Sequence, residues 1–202
     1  MFSRWFGPVL LLSVAAVAFE QAPTPLNQND TGDLGAYLKK QFGPGFAPAP
    51  LVPRGAGGVP IKGAPTTVLL TGDLDGDGAE DAVILVSAKN PLAGQQDYKY
   101  KVIDPYDAYY GWGNPKETQQ FASSDPDRAR TLVVIHNWRA AEAKAKFVII
   151  NLPFDRLTLA QVVIKKKPRV VINADEAGLM ISSVYWDGKK YKYEPGTAES
   201  EK

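Results

Sequence analysis

The stretch that decides the fold is TTVLLTGDLDGDGAEDAVILVSA, residues 66–88. Its two ends, TTVLLTG (66–72) and DAVILVSA (81–88), are rich in β-branched and other apolar residues, a composition that predicts two strands. Between and beside them, aspartates at 73, 75, 77 and 81 fall within nine residues. Because like charges this close repel one another, the pattern predicts that a cation lies among the four carboxylates.

Calcium suits this spacing, since it takes about six to eight ligands and prefers carboxylate and carbonyl oxygens. A curled loop can direct the alternating side chains of Asp73, Asp75 and Asp77 toward one point. Gly76 and Gly78 permit the tight turning that such a loop requires. Magnesium suits the loop less well, because it demands tighter octahedral geometry and retains its waters. The alternative is an Asp/Gly-rich turn that holds no metal.

The loop differs from an EF-hand, which requires an acidic residue at its twelfth position, where this chain has Ile84. The segment LLTGDLDGDGAEDAVILV (69–86) resembles the calcium loops of FG-GAP/VCBS repeats, which run strand, D-x-D-x-D-G-x-x-D loop, strand. The chain as a whole resembles single-repeat exported bacterial proteins of unknown function. The resemblance implies calcium ligands from the side chains of Asp73, Asp75, Asp77 and Asp81 and from the backbone carbonyl of Ala79.

The beginning of the chain has the pattern of a secretory signal peptide. Arg4 precedes an apolar run, and Ala16-Val17-Ala18 is a small-x-small cleavage pattern. A membrane anchor is the rival interpretation, but the run is shorter than the roughly 20 residues of a spanning helix. We therefore expect residues 1–18 to be removed and the product to be exported, to the periplasm or the medium. Loss of Arg4 changes the formal net charge from +1 to zero, which disfavours nucleic-acid binding.

Composition divides the rest of the chain into an arm, a domain and a tail. Residues 19–66 hold eight of the sixteen prolines, which predicts an irregular arm, with a short helix near 33–42. Residues 67–195 should form a β-rich domain, and residues 196–202 a disordered tail. Further strands are expected at 97–104, 130–138, 146–152, 157–167, 168–173 and in a hairpin at 182–195, around Asp187-Gly188, a dipeptide that suits a type I′ turn. A loop-rich stretch is expected at 105–130, and one or two helical turns at 139–146.

A second candidate site lies in the segment VIDPYDAYYGWGNP, residues 102–115. Aromatic rings can stack on sugars while carboxylates bond to hydroxyls, but aromatic residues in loops also pack a loop onto the protein body. The two acids also raise the alternative of a glycosidase. The possible ligand-binding residues are Asp104, Tyr106, Asp107, Tyr109, Tyr110 and Trp112.

The sequence lacks a recognisable catalytic set. It contains one histidine, His136, and no cysteine, and it has no G-x-S-x-G motif. Strand alternation places His136 on the same face as Val134 and Trp138, which favours a satisfied, partly buried histidine. We therefore expect a mainly β single domain, with α+β as the alternative, a mostly antiparallel sheet and one or two short helices. Its expected function is a non-enzymatic, calcium-binding module for a protein or glycan ligand; the alternative is an exported hydrolase acting on glycans.

Overall fold

The computed structural model describes residues 28–52, 66–111, 130–164, 166–176 and 180–196. The expected signal peptide at 1–18, Trp112 and the tail from residue 197 onward lie outside these residues. Within them the protein is a mainly β single domain with mostly antiparallel sheets, as the sequence predicted. In this part of the chain, no helix has both the length and the apolar character that crossing a membrane requires.

The central layer is a six-stranded sheet in the order β1-β5-β7-β8-β6, with β4 also paired to β5. Only the β6–β8 pair is parallel; the other pairs are antiparallel. The strands are β1 (Phe46–Pro48), β4 (Leu69–Gly72), β5 (Asp81–Ala88), β6 (Lys101–Ile103), β7 (Arg130–His136) and β8 (Ala145–Ile149).

A second, four-stranded antiparallel sheet has the order β12-β11-β10-β9. Its strands are β9 (Arg156–Ile164), β10 (Lys167–Glu176), β11 (Met180–Trp186) and β12 (Tyr191–Glu194). Two short strands, β2 (Pro50–Leu51) and β3 (Thr66–Thr67), form a separate pair.

Within the described ranges, three helices accompany the sheets: α1 (Gln28–Phe42), α2 (Gln95–Tyr98) and α3 (Pro105–Tyr110). The helix expected near 33–42 is the second part of α1, which begins earlier. Its buried residues Leu34, Leu38 and Phe42 recur every four positions and so lie along one face. After α1, Gly43 takes a φ of 102° and its N–H bonds to the carbonyl of Lys39, which ends the helix.

The central sheet is covered on both faces, which explains the unbroken apolar run of β5. Ala82, Ile84 and Val86 pack on the side of α1, whereas Val83 and Leu85 face the four-stranded sheet. All five side chains are fully buried. Alternate residues of one strand therefore serve two different cores. The layers are helix, six-stranded sheet and four-stranded sheet.

Part of the expected arm packs on this body. Besides α1, strand β1 pairs with β5, placing Phe46 opposite Ala88. Phe46 is buried and packs against Phe42 and Tyr100, with ring centroids 5.4 and 5.6 Å away. The proline-rich composition of this region allowed an edge strand of three residues, where a missing N–H is tolerated.

Several local predictions were wrong. The expected strand at 97–104 is a short helix followed by β6, and the expected loop after residue 104 begins with α3. The expected helical turns at 139–146 are bends and turns that lead into β8. At 97–104 and 139–146 the local preferences of a short segment are overridden by tertiary contacts, whereas the start of α3 carries a local helix signal, Asp104 followed by Pro105.

The last hairpin also differs from its prediction. Trp186 pairs with Tyr191, so four residues connect the strands, where Asp187-Gly188 had been expected to form a two-residue type I′ turn. Gly188 has a φ of 103°, but Asp187 does not share a positive φ. The Asp187 carboxylate instead accepts the N–H groups of Lys189 and Lys190, at 2.8 and 2.9 Å, and these bonds hold the longer loop.

Candidate functional site

The acidic loop, residues 73–81, joins two paired strands. β4 and β5 are antiparallel, with Gly72 opposite Asp81, so the loop closes one end of the central sheet. The expected strand–loop–strand unit is therefore present. This position holds both ends of the loop in fixed register, and the side chains between them can be aimed reproducibly.

Backbone N–H groups of the loop converge on the Asp73 carboxylate. Gly76, Asp77 and Gly78 donate to it at 2.8, 3.1 and 2.9 Å. Gly76 and Gly78 have φ values of 79° and 85°, a region that disfavours residues with a Cβ. The alternating glycines thus allow the loop to curl around its first aspartate.

The Asp81 carboxylate, at the end of the loop, is fully buried. It accepts the N–H groups of Leu74 at 2.8 Å, Asp75 at 3.3 Å and Asn137 at 2.8 Å. Burial raises the pKa of Asp81, while these hydrogen bonds act in the opposite direction. Asp81 therefore fastens the loop to the turn after β7.

Three of the predicted ligands come together. One oxygen from each of Asp73, Asp75 and Asp81 lies within 4.8 Å of the other two. Calcium–oxygen distances of about 2.3–2.6 Å allow two ligand oxygens to lie up to about 5 Å apart. The donor set therefore fits a hard cation. Asp77 does not belong to this group of three, and the direction of the Ala79 carbonyl stays a prediction.

Lys144 supplies a positive charge that the sequence analysis missed. Its Nζ lies 2.8 Å from Asp75 Oδ2 and 2.6 Å from Asp77 Oδ2. The bond to this ammonium lowers the pKa of the Asp77 carboxyl, and the two carboxylates in turn raise the pKa of Lys144. Lys144 lies in the turn between β7 and β8, and the register of those strands brings it to the loop. One ammonium cannot neutralise four carboxylates.

His136 is buried beside the loop, and its ring nitrogens contact groups on two sides. Nδ1 lies 3.2 Å from Asp75 Oδ2, and Nε2 lies 2.7 Å from the hydroxyl of Tyr191. Burial lowers the pKa of His136, whereas the negative charges of Asp81 and Asp75 act to raise it.

Trp138 does not lie on the same face as His136, so that prediction was wrong. Asn137 has a φ of 53°, which turns the chain, and Trp138 packs against Tyr37 on the helix side of the central sheet.

Glu80, the remaining acid of the loop, points away from the cluster. It accepts bonds from Trp138 Nε1 at 2.8 Å and Arg139 Nε at 2.5 Å. These two bonds lower the pKa of Glu80 even though partial burial opposes them. Glu80 therefore shares the loop with the predicted ligands but not their surroundings.

In the second candidate site, Asp104 caps a helix. Its Oδ1 accepts the N–H of Asp107 at 2.9 Å at the start of α3, and its Oδ2 accepts Asn151 Nδ2 at 2.5 Å. Burial raises the pKa of Asp104 to about 6. The D-P-Y-D pattern, with proline at the first helical position, is a helix-start signal that the loop prediction overlooked.

The aromatic residues of this segment gather around Tyr193 of β12. The rings of Tyr106, Tyr109 and Tyr110 have centroids 5.1, 5.6 and 6.3 Å from its ring. Tyr109 is 51% exposed, whereas Tyr106 packs against the core between the sheets. The segment thus combines a packing aromatic residue, Tyr106, with two exposed ones, Tyr109 and Tyr110, and Trp112 lies outside the described residues.

A cavity of about 350 Å³ lies between this segment and the last hairpin. Of the predicted ligand-binding residues, Asp104 and Tyr109 line it, whereas Tyr106, Asp107 and Tyr110 do not. Aliphatic side chains of β6 and α3 contribute further lining. Residues that the sequence analysis did not single out complete it: Lys190, Tyr191, Lys192 and Tyr193. They come from the far end of the chain, which no local pattern connects to residue 104.

Comparison of the chain with known proteins gives no match to a family model, a curated protein or a solved structure.

Proposed function

We propose that the protein is an exported, non-enzymatic domain that binds calcium at the acidic loop and serves as a binding or envelope-associated module. The observation that carries the proposal is the approach of Asp73, Asp75 and Asp81 oxygens within 4.8 Å of one another. The loop sequence and its resemblance to FG-GAP/VCBS loops support calcium among hard cations. Export rests on the signal-peptide pattern at residues 1–18.

The role of the metal in this proposal is structural. The loop closes the β4–β5 pair, and Asp81 also bonds to Asn137 beyond the end of β7. A cation held by Asp73, Asp75 and Asp81 would neutralise repulsion among these carboxylates and fix the loop against both strands. A cation at this site would share the Asp75 carboxylate with the Lys144 ammonium, which lies 2.8 Å from its Oδ2.

The test is a set of melting curves of residues 19–202, recorded with millimolar calcium, with magnesium and with excess chelator. Binding to the native state alone raises stability by about 2.7 kcal/mol at a hundredfold excess over Kd. We expect calcium to raise Tm more than magnesium does. Asp75→Asn should abolish the rise, because it removes a converging carboxylate while preserving the size of the side chain.

Glu80→Gln is the matched control, since Glu80 lies in the same loop but bonds to Trp138 and Arg139. The calcium effect should survive in this variant. An equal response to calcium and magnesium, or an effect that persists in Asp75→Asn, would refute the calcium proposal. Export is tested separately, by N-terminal sequencing of secreted protein, with Phe19 as the expected first residue.

An exported hydrolase acting on glycans is the second candidate function. It is favoured by one observation: Asp104 lines the cavity and has a pKa of about 6, within the range of a general acid. Its test is hydrolysis of a glycan panel by the protein and by Asp104→Asn. Activity that disappears in the variant would support the hydrolase, and absence of turnover in both would eliminate it.

A further inference from the structure

The cavity between α3 and the last hairpin has walls that are mostly rings and aliphatic side chains. Tyr109 is exposed, and Lys190 is exposed at the hairpin loop, so the lining extends to solvent. Tyr191 and Tyr193 are buried and contribute the wall on the side of the four-stranded sheet. Its volume of about 350 Å³ falls at the small end of the range for small-molecule sites.

Most polar groups of the lining already have partners. The Tyr191 hydroxyl bonds to His136 Nε2, and the Tyr193 hydroxyl bonds to Ser182 Oγ, both at 2.7 Å. The Asp104 carboxylate accepts two hydrogen bonds, as described above. Lys192 Nζ lies 3.0 Å from Asp187 Oδ2. A ligand that uses any of these groups would share it with the partner that it already has.

Lys190 differs from these residues. Among the residues that the structure describes, its ammonium group has no ion-pair partner, although its backbone bonds to Asp187. Besides these partnered groups, the lining offers a ligand apolar surface, the exposed Tyr109 side chain and the ammonium group of Lys190. A neutral sugar would find few free groups for its hydroxyls, whereas one anionic group would find a free cation.

We propose that this cavity binds a small, largely apolar ring compound that carries one carboxylate. The ring lies against tyrosine faces, with Tyr109 on the exposed side, and the carboxylate pairs with Lys190. The proposal gives a ligand class to the binding role suggested above. It does not depend on whether the acidic loop holds a metal.

The test uses residues 19–202 labelled with ¹⁵N and two matched probes, cyclohexanecarboxylate and cyclohexanecarboxamide. We expect the carboxylate to shift amide resonances of residues 102–109 and 190–193. The amide should bind about fivefold more weakly, the most that an exposed ion pair contributes. Glucuronate and glucose form a second pair, which distinguishes a sugar ring from an apolar ring. Stronger binding of both sugars than of cyclohexanecarboxylate would overturn the proposal.

Two neighbouring lysines provide the matched variants. Lys190→Met should reduce carboxylate affinity to that of the amide, whereas Lys189→Met should leave it unchanged, because Lys189 does not line the cavity. Ala108→Phe, which places a ring within the lining, should abolish binding while the circular dichroism spectrum is retained. Equal affinity for carboxylate and amide, no shifts at the cavity, or equal effects of the two lysine variants would each refute the assignment.

A negative result here leaves the calcium proposal standing, since calcium binding is measured by the melting curves. The reverse also holds: calcium-independent melting would leave the resonance shifts at 102–109 and 190–193 as evidence for the cavity. The two failures are therefore distinguishable.

Discussion

The acidic loop and the aromatic segment are both short and rich in polar residues, but they are built in different ways. In the loop, consecutive residues supply both the carboxylates and the backbone N–H groups that orient them, as at Asp73. In the aromatic segment, Asp104 and Tyr109 line the cavity, whereas Tyr106, Asp107 and Tyr110 do not. The geometry of the loop is determined by residues within the loop itself. The cavity instead depends on residues distant in sequence, in the hairpin loop at 187–190 and in β12.

The largest expected effect tests whether the loop is held from its buried end. Asp81→Ala should lower the free energy of unfolding by about 3 kcal/mol or more, because three backbone N–H groups lose a buried acceptor. Urea unfolding in chelator measures the loss without a contribution from metal. Asp77→Ala, at the exposed side of the same loop, should have a much smaller effect. Equal losses of unfolding free energy in Asp81→Ala and Asp77→Ala would contradict the prediction that the buried carboxylate matters more than the exposed one.

The next largest effect concerns Asp104, a buried carboxyl group that lines the cavity. Its folded pKa of about 6 lies above its ordinary value, so the protonated carboxyl stabilises the folded protein below about pH 4. That contribution is lost as the pH rises through 6. Asp104→Asn keeps a good helix cap but does not ionise. Between pH 4 and pH 7, the wild type should therefore lose about 2 to 3 kcal/mol relative to the variant.

Parallel urea titrations of the two proteins over this range provide the measurement. A difference between them that does not change with pH would contradict the raised pKa. Asp104 differs from Asp81 in its partners: it accepts the Asn151 side-chain amide as well as a backbone N–H, whereas Asp81 accepts backbone N–H groups.

An intermediate effect tests the physical connection between the two regions. Asp75, His136 and Tyr191 form a chain of contacts from the loop to the cavity lining. Tyr191→Phe should cost about 1 to 2 kcal/mol, because a buried ring nitrogen of His136 loses its partner. Side-chain ¹⁵N shifts of His136 should change as well. Tyr193→Phe, which removes a hydroxyl bonded to Ser182, should leave those shifts unchanged, and a change there would disprove the connection.

A smaller effect is expected at Lys144, whose ammonium group is a positive charge that the protein itself places beside the loop. Lys144→Met removes an ammonium that contacts Asp75 and Asp77, so calcium should meet less competition for Asp75. The affinity for calcium should increase, by less than about tenfold, because the lysine is half exposed. Competition with a calcium-chelating dye measures the calcium affinity of the wild type and of the variant. Weaker calcium binding in this variant would mean that Lys144 supports the site.

The smallest expected effect comes from a comparison of two tyrosines within the aromatic segment, Tyr109 and Tyr106. Tyr109→Ala should change the free energy of unfolding by less than about 0.5 kcal/mol, since half of its side chain is exposed. Tyr106→Ala should cost more, because Tyr106 packs against the core and Tyr193. Thermal unfolding of both variants tests this order, and the reverse order would contradict the division between packing and exposed aromatics.

What could be predicted from sequence follows the same distinction between local and distant contacts. The apolar runs at 82–86 and 132–135, within the strands expected at 81–88 and 130–138, predicted buried strands because each run has side chains in cores on both faces of the central sheet. The alternation of aspartate and glycine predicted a curled loop because Gly76 and Gly78 occupy positive φ. Both signals arise within a few residues.

Other features could not be predicted because tertiary contacts determine them. Lys144 lies in an Ala-, Glu- and Lys-rich stretch typical of an exposed helical turn, and only the β7–β8 register brings it to the loop. Likewise, Lys190 and Tyr191 reach the cavity because the four-stranded sheet packs against the central one. The strands of the last hairpin are paired at Trp186 and Tyr191, so the turn between them is longer than expected. The length of this turn determines which of its lysines lines the cavity.

The central claim is that the loop carboxylates form one cation site, and calorimetric titration of calcium into chelator-stripped residues 19–202 tests it most directly. We predict binding of one calcium per chain, retained in Glu80→Gln and lost in a Asp73→Asn, Asp75→Asn double variant that circular dichroism shows to be folded. Absence of binding heat at millimolar calcium, or one equivalent bound by the double variant, would contradict the claim.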